Sequence, residues 1–251
     1  MDPSREDVYE AAQVLQENLD KIGCTFSFMG GLGLLLHGLK VDRDIKDIQV
    51  VFEEYTVLDD VFAELKAEAD DRLVFSAPQD VYTWMITIRP YGDESDIIVD
   101  AHVTLTGRKG IEGGIGVLEL SVSGEITYED DKGKQISLTG NVLNIEPMVR
   151  TLLWSWDQED DVTHRQAFMD LHLLMRHEDY SEVIRKVPND MNLVPRWNFV
   201  REVYDRKDRS WKDFGELFNV NPKSEPPSDE SSGQEAVFSE GEEHGSLDGT
   251  V

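Results

Sequence analysis

The sequence contains very little cysteine and few basic residues. Cys24 is the one cysteine among 251 residues, so no disulfide can form within the chain. This composition is typical of a reducing intracellular compartment, and we expect the protein in the cytoplasm. Lysine and arginine number 24 against 51 aspartates and glutamates, which gives a net charge of −27 at pH 7. Because such a chain repels phosphate backbones at long range, we do not expect it to bind nucleic acid.

Long hydrophobic runs are also absent from the sequence. No apolar stretch approaches the roughly 20 residues that a membrane-spanning helix needs. The first ten residues are polar and acidic, unlike the basic and then apolar pattern of a secretory signal. We therefore expect neither a membrane segment nor a signal peptide. The length is sufficient for a substantial core, formed by one domain or by one domain with a helical extension.

A glycine pair follows the first predicted strand. Residues 25–29 are typical of a strand, Gly30 and Gly31 predict a turn, and residues 32–39 predict a short helix. A second strand is predicted over residues 48–52, with Asp47 at its start. Since side chains alternate along a strand, Asp47 and Gln49 share one face.

Further strands are predicted downstream of this segment. Residues 73–76, 81–88 and 96–105 are rich in β-branched and aromatic residues, and the turn signal at residues 90–93 predicts a hairpin between the last two. Alternation places Ile98, Asp100 and His102 on one face of the later strand. Residues 117–122 and 125–128 predict another hairpin, with residues 130–133 as its turn. Asp100, in the middle of its strand, is the candidate to approach Asp47 from a neighbouring strand.

The overall pattern predicts an α/β (α+β) fold with a mixed sheet flanked by helices. Helices are predicted over residues 4–21, 32–39, 56–70, 148–156 and 162–176. We expect a sheet domain over residues 1–140 and a helical C-terminal part over residues 141–220. Residues 221–251 are acidic and nearly devoid of large apolar side chains, so we predict a disordered acidic tail that is available to a protein partner.

The motif around the glycine pair resembles the nucleotidyltransferase-fold superfamily. In the branch concerned, a Gly-Gly turn precedes an Arg-x-Thr-x-Asp-x-Asp element. The matching positions are Gly30, Gly31, His37, Gly38, Arg43 and Asp47. Residues 150–153 and 165–171 resemble two helical motifs that follow the sheet in this family. The chain departs from the pattern at Ile45, where the family has threonine, and at Gln49, where it has the second aspartate.

The resemblance implies metal-dependent transfer of a nucleoside monophosphate from an NTP. Asp47 and Asp100 would be the catalytic carboxylates, and Asp47, Gln49 and Asp100 would be the ligands of Mg²⁺. Gly30, Gly31 and Arg43 would hold the nucleotide, which is the substrate or a ligand. A neutral amide attracts a cation less than a carboxylate does. We therefore expect a weakened active site or, if activity is lost, a pseudoenzyme.

Alternative interpretations remain at this stage. The chain could be a non-catalytic nucleotide-binding or protein-interaction module, which Gln49, Ile45 and the acidic tail favour, or a transferase of the toxin–antitoxin type. Gly30 and Gly31 could form only a tight turn, and Asp47 could only cap or solvate the start of a strand. Asp100 could pair with His102 or with an arginine for structural reasons. The glycine-rich segment over residues 107–116 lacks the Gly-Lys-Ser/Thr ending of a P-loop, so we interpret it as a flexible connection.

Overall fold

The computed structural model describes most of the chain up to residue 155 and isolated parts of the C-terminal region. The described residues are 2–68, 70–75, 84–93, 95–108, 111–129, 133, 135–155, 166–167, 169–171, 173–174, 177–180 and 183. The predicted tail, most of the predicted helix over residues 162–176 and the predicted strand residues 81–83 lie outside these ranges. The division into domains at residues 140 and 220 therefore stays a prediction.

One mixed sheet of seven strands forms the centre of the described residues. The strands are β1 Phe26–Met29, β2 Asp47–Phe52, β3 Leu73–Phe75, β4 Trp84–Ile88, β5 Val99–Leu105, β6 Ser121–Glu129 and β7 Gln135–Leu143. Their order in the sheet is β3-β4-β5-β2-β1-β7-β6. The pairs β2–β5 and β1–β7 are parallel, and the other neighbours are antiparallel. The predicted α/β class with a mixed sheet is confirmed.

Helices flank this sheet. They are α1 Arg5–Lys21, α2 Gly30–Leu36, α3 Leu58–Glu68 and α4 Ile145–Ser155. Helix α1 begins with a capping box, in which the Ser4 hydroxyl accepts from the Asp7 amide and the Asp7 carboxylate accepts from the Ser4 amide. Among the described residues, no helix combines the length and the apolar character needed to span a membrane.

The core lies between the helices and the central strands. All four residues of β1 are buried, so this strand is covered on both faces. The largest fully buried side chains include Phe28, Phe52, Leu15 and Ile48, from α1 and the two central strands. Burial of such side chains contributes about 1.5–3 kcal/mol each. Among the residues that the structure describes, the central strands β1 and β2 therefore belong to the buried core.

The predicted hairpin over residues 117–122 and 125–128 is wrong in its boundaries. Strand β6 runs without a break over residues 121–129 and pairs with β7 over residues 135–143. Strand β7 then lies beside β1, through the pairing of Phe28 with Val142. Its residues alternate between exposed and more buried positions, and the sequence analysis did not predict it because threonine, glycine and asparagine weaken its strand pattern.

The glycine-rich segment after β5 packs around Glu54. The Gly114 amide donates to Glu54 Oε2 at 2.9 Å, and the Glu54 amide donates to Thr106 Oγ1 at 2.7 Å. A Cβ added at Gly113 would lie 2.6 Å from Glu54 Oε2, so a side chain at this position would displace the Glu54 carboxylate. In the described part of this loop, the glycines therefore let the backbone close around an acidic side chain of the same chain.

Candidate functional site

Asp47 and Asp100 lie directly opposite each other on neighbouring strands. Strand β2 begins at Asp47 and runs parallel to β5, with Asp47 paired to Asp100 and Gln49 paired to His102. Directly paired residues of adjacent strands point to the same side of a sheet. Asp47, Gln49, Asp100 and His102 therefore share one side, and we call this set the polar face. The sheet places the two acids as the sequence analysis required, while their role stays a prediction.

The polar face lies at the sheet end where the glycine pair follows β1. Strand β1 ends at Met29, which is paired with Gln49 in the antiparallel β1–β2 pair. Gly30 follows immediately and begins α2. The glycine pair is therefore part of the first turn of a helix, rather than a turn that precedes the helix at residue 32. The reason is that Gly30 itself, with φ of 63°, makes the change of chain direction.

The carboxylate of Asp100 is oriented by a neighbouring strand. Thr87 on β4 pairs with Asp100 in the sheet, and Thr87 Oγ1 donates to Asp100 Oδ1 at 2.9 Å. A hydroxyl donor of this kind holds a carboxylate in one orientation and lowers its rotational freedom. Thr87 was not among the predicted site residues, and the signal for it was its position in the strand predicted before Asp100.

Asp47 faces two polar side chains of the same surface. Gln49 Nε2 lies 3.4 Å from Asp47 Oδ2, and His102 Nε2 lies 3.8 Å from the same oxygen. The side chains of Asp47 and His102 are 37% and 43% exposed, so solvent and ligands can reach them. Gln49 turns its amide nitrogen toward Asp47, so the amide acts as a donor to this carboxylate.

The glycine pair packs tightly against side chains of the site. A Cβ added at Gly30 would lie 2.7 Å from Gln49 Oε1, and a Cβ added at Gly31 would lie 2.9 Å from Arg43 Nη2. Both distances are shorter than ordinary van der Waals contact, so a side chain at either position would displace Gln49 or Arg43. The two glycines therefore allow Gln49 and Arg43 to approach the backbone at the start of α2.

Arg43 forms a buried ion pair with Asp170. Its Nε and Nη2 atoms donate to Asp170 Oδ1 and Oδ2 at 2.9 and 2.6 Å, and the two side chains are only 12% and 3% exposed. Burial lowers the pKa of Arg43, but the hydrogen bonds and charge of Asp170 outweigh it and leave the pKa raised. Burial raises the pKa of Asp170 against the opposing effect of Arg43. The sequence analysis did not predict this pair, because only the Asp-Leu motif at residues 170–171 marked the region.

The loop that carries Arg43 is fixed from helix α1. Arg5 Nη2 donates to the carbonyl oxygens of Val41 at 2.8 Å and Arg43 at 3.0 Å. Ile45, where the family pattern has threonine, is 2% exposed and packs near Gly31. An apolar residue at this position contributes packing but no hydrogen-bonding group. Arg5 is a further residue that sequence reasoning missed, since nothing local to it indicates its distant partners.

The donor atoms of the polar face limit which metal ion they fit. Among the residues that the structure describes, no group of three or more His, Cys, Asp or Glu side chains is arranged to hold a metal ion. Asp47 and Asp100 offer oxygen ligands of the kind that Mg²⁺ prefers. The Gln49 amide is neutral, so it attracts a cation less than the carboxylate of the family pattern would. The polar face therefore offers a cation two carboxylates, those of Asp47 and Asp100.

Comparisons with known proteins give likenesses of fold. No family model and no curated protein matches this chain. A solved structure of an antigenic nucleotidyltransferase-like protein from Paracoccidioides brasiliensis aligns over 88% of this chain and 96% of its own, with 13% identity and a TM-score of 0.47. JHP933 from Helicobacter pylori aligns over 88% and 94%, with 12% identity and a TM-score of 0.44. The antibiotic-resistance factor ANT(2'')-Ia aligns over 73% and 90%, with 15% identity and a TM-score of 0.42.

At sequence identities of 12 to 15% and TM-scores of 0.42 to 0.47, these likenesses carry no argument about the family, activity or substrate of this chain.

Proposed function

We propose that this chain is a nucleotidyltransferase-like protein that binds a nucleotide at the polar face and in which nucleotidyl transfer is weakened or lost. The observation that supports this proposal is the direct pairing of Asp47 with Asp100, with the neutral Gln49 beside Asp47 on the same face. Two carboxylates on adjacent strands can share a divalent cation, and a divalent cation can bridge to the phosphates of an NTP.

Charge explains why transfer would be weak. At about 4 Å, a unit charge contributes about 4 kcal/mol to the attraction of another unit charge near a protein surface, before desolvation is subtracted. The family pattern places three carboxylates at this site, and Gln49 replaces one of them by a neutral amide. Each positive charge of a bound ion therefore loses one attraction of this size. A triphosphate is itself anionic and the chain carries a net charge of −27. Nucleotide binding therefore depends on a cation such as Mg²⁺, which Asp47 and Asp100 would hold.

The remaining residues of the site have positioning roles in this proposal. Gly30 and Gly31 let other groups approach the backbone closely, and Arg43 borders the same turn. Since the charge of Arg43 is matched by Asp170, Arg43 contributes shape more than net positive charge to the nucleotide site. Asp47 and Asp100 remain the candidates for catalysis, should transfer occur.

A second candidate function is a non-catalytic interaction module. The ion pair of Arg43 with Asp170 favours it, because the guanidinium donates from Nε and Nη2 to a carboxylate instead of a phosphate. A protein partner would then bind the acidic tail, which lies outside the described residues.

The compartment that we propose is the cytoplasm, on the basis of the single cysteine. Burial raises the pKa of the Cys24 thiol to about 11, so this thiol is unreactive at neutral pH.

The nucleotide proposal is tested by titrating the full chain with ATP, GTP, CTP and UTP in the presence of Mg²⁺ or Mn²⁺. Thermal stability reports binding, and pyrophosphate release reports transfer. We expect at least one nucleotide to raise the melting temperature, with slow or undetectable pyrophosphate release. If no nucleotide changes the melting temperature with either cation, the interaction module is the better explanation.

We predict that Gln49→Asp increases cation binding at the polar face. The substitution adds a carboxylate beside Asp47, and we expect about tenfold tighter Mg²⁺ binding, which corresponds to about 1.4 kcal/mol. Calorimetric titration measures this affinity. The matched control is Gln135→Asp, which adds the same charge at an exposed position on β7. Equal affinities in both variants would contradict the placement of the site.

A further inference from the structure

We propose that a cavity at the C-terminal end of helix α2 binds a small organic cation, that is, an ammonium group carried on an apolar body. The cavity has a volume of about 560 Å³, which is typical of a small-molecule site. Its walls come from the end of α2, the start of β6, the first turns of α4, and Asp179, Tyr180 and Val183. This inference does not depend on the proposed function, because it concerns a different place in the fold.

The cavity lies on the side of the sheet opposite to the polar face. Val122, which lines the cavity, pairs with Val142, and Val142 pairs with Phe28. Phe28 pairs in turn with Val50 of β2. Directly paired residues point to the same side of a sheet, so Val122 and Val50 share a side. Val50 follows Gln49 along β2, and consecutive residues of a strand point to opposite sides. The sheet therefore separates a ligand in the cavity from the polar face.

The walls of the cavity combine apolar side chains with a fixed aromatic ring. Leu120, Val122 and Ile145 supply apolar surface, and Val122 is 42% exposed, so a ligand can reach it. The Tyr180 hydroxyl donates to the His37 carbonyl at 3.3 Å, and the two rings meet edge-on at a centroid distance of 5.9 Å. These contacts hold Tyr180 in one orientation. The apolar part of the site is therefore formed before a ligand binds.

Acidic side chains outnumber basic ones around the cavity. Its charged lining consists of Glu112, Glu146, Arg150 and Asp179. Arg150 Nη2 lies 3.4 Å from Glu146 Oε1, so these two charges offset each other. His177 Nδ1 lies 3.8 Å from Asp179 Oδ2 and offsets that charge only when the imidazole is protonated. The exposed acids Glu112 and Asp179 therefore leave the cavity negative, and a positively charged ligand is favoured.

Two features that would favour an anion are compensated. The N-terminal end of α4 carries a partial positive charge, but Glu146 occupies its first turn. Burial lowers the pKa of His37, so its imidazole is neutral at pH 8 and adds no positive charge. Among the residues that the structure describes, no acidic group is arranged to hold a bare metal ion. An organic cation fits better, because its apolar body also gains from the apolar walls and its ammonium from the aromatic ring of Tyr180.

The test is calorimetric titration of the full chain at pH 8 with two matched probes. Tryptamine carries a protonated amine on an indole ring, and indole-3-acetate carries a carboxylate on the same ring. We expect tryptamine to bind at least about tenfold more tightly than indole-3-acetate, since the charge of the cavity attracts one and repels the other. Raising NaCl from about 20 to about 200 mM should weaken tryptamine binding, because salt screens exposed charges.

A pair of tryptophan variants places the probe in the cavity. Val122→Trp fills the space beside Leu120 and should weaken tryptamine binding by at least about tenfold, since a bulky ring then occupies part of the volume. Ser123→Trp adds the same ring at the exposed next position of β6, which points to the other side of the sheet, and should bind tryptamine as wild type does. Circular dichroism checks that both variants are folded.

A pair of charge variants tests the electrostatic part. The double variant Glu112→Gln, Asp179→Asn removes the two exposed acids of the cavity and should weaken tryptamine binding by about fivefold, as expected for two exposed charges. The control Glu64→Gln, Glu125→Gln removes two exposed acids elsewhere, so it changes the net charge of the chain equally. It should change tryptamine affinity by less than about twofold.

The outcomes decide the inference without reference to nucleotide binding. Tighter binding of tryptamine that Val122→Trp weakens and Ser123→Trp does not would support it. No binding of tryptamine, equal or tighter binding of indole-3-acetate, or equal affinities in the two tryptophan variants would overturn it. Loss of tryptamine binding in Asp100→Asn but not in Val122→Trp would place the probe at the polar face and would also overturn it. Nucleotide binding with Mg²⁺, measured separately, decides the proposed function alone.

Discussion

At the scale of single residues, the histidine that ends helix α2 has a structural role. His37 Nε2–H donates to the Leu143 carbonyl at 2.8 Å, and its ring meets the Tyr180 ring edge-on at a centroid distance of 5.9 Å. Burial lowers the pKa of His37, although the hydrogen bond to Leu143 opposes this effect. Through these contacts, His37 packs the end of helix α2 against strand β7 and Tyr180.

The pKa of His37 leads to a prediction about pH. The folded chain binds fewer protons at His37 than the unfolded chain, in which histidine titrates near 6.5. Neutral His37 therefore makes its full contribution to the free energy of unfolding above about pH 6.5. This contribution is lost as the pH falls below that value. We expect His37→Gln to reduce the loss of unfolding free energy between pH 7.5 and pH 5.5, measured by urea denaturation. Equal losses in wild type and variant would show that His37 does not titrate as described.

At the scale of secondary-structure elements, the position of helix α2 depends on a glycine in strand β6. All seven residues of α2 are buried, and the helix contacts β1, β2, β6 and β7. A Cβ added at Gly124 would lie 2.5 Å from the carbonyl oxygen of Leu36 and 2.8 Å from its Cβ. These atoms belong to the helix backbone and its first side-chain atom, so rotation of a flexible side chain cannot relieve the clash.

We predict that Gly124→Ala lowers the free energy of unfolding by about 1–3 kcal/mol, as other overpacking substitutions do. The shift of α2 relative to the sheet also moves the glycine pair at its start, so cation binding at the polar face should weaken. Urea denaturation and calorimetric titration measure the two effects. Ser123→Ala, at the exposed neighbouring position of β6, is the control and should change neither. A Gly124→Ala variant as stable as the control would contradict the close approach of α2.

At the scale of the whole molecule, the ion pair of Arg43 with Asp170 joins parts of the chain that are 127 residues apart. Arg43 lies between α2 and β2, next to the candidate site, whereas Asp170 lies in the predicted helical C-terminal part. Taking both charges out of water is costly, and the attraction between them offsets this cost only while both are present. The pair therefore couples the C-terminal part to the candidate site.

A double-mutant cycle tests this coupling. We predict that Asp170→Leu lowers the free energy of unfolding by about 3–5 kcal/mol, since it leaves a buried guanidinium without its partner. The double variant Arg43→Met, Asp170→Leu should lose clearly less than the sum of its single variants, as measured by urea denaturation. Asp2→Asn, which removes the exposed partner of Lys46, is the control and should leave the unfolding midpoint unchanged. Additive losses would mean that the two side chains do not depend on each other.

Much of the candidate site could be predicted from local patterns. Strand alternation alone places Asp47 with Gln49 and Asp100 with His102, and the glycine pair marks the junction of strand and helix, because both signals depend on neighbouring residues. By contrast, β7 was missed as a partner of β1, and Thr87, Arg5 and Asp170 were missed as partners of site residues. Their contacts join distant parts of the chain, and no local periodicity reports such contacts.

The sequence by itself determined which side chains share a face within each strand and where only glycine can turn the chain. The tertiary structure decided that β5 pairs with β2 in the register that sets Asp47 opposite Asp100, and that Asp170 pairs with Arg43. The physical reason is that alternation follows from the geometry of one strand, whereas register and ion pairing follow from packing of the whole core, in which each strand takes the position that buries its apolar face.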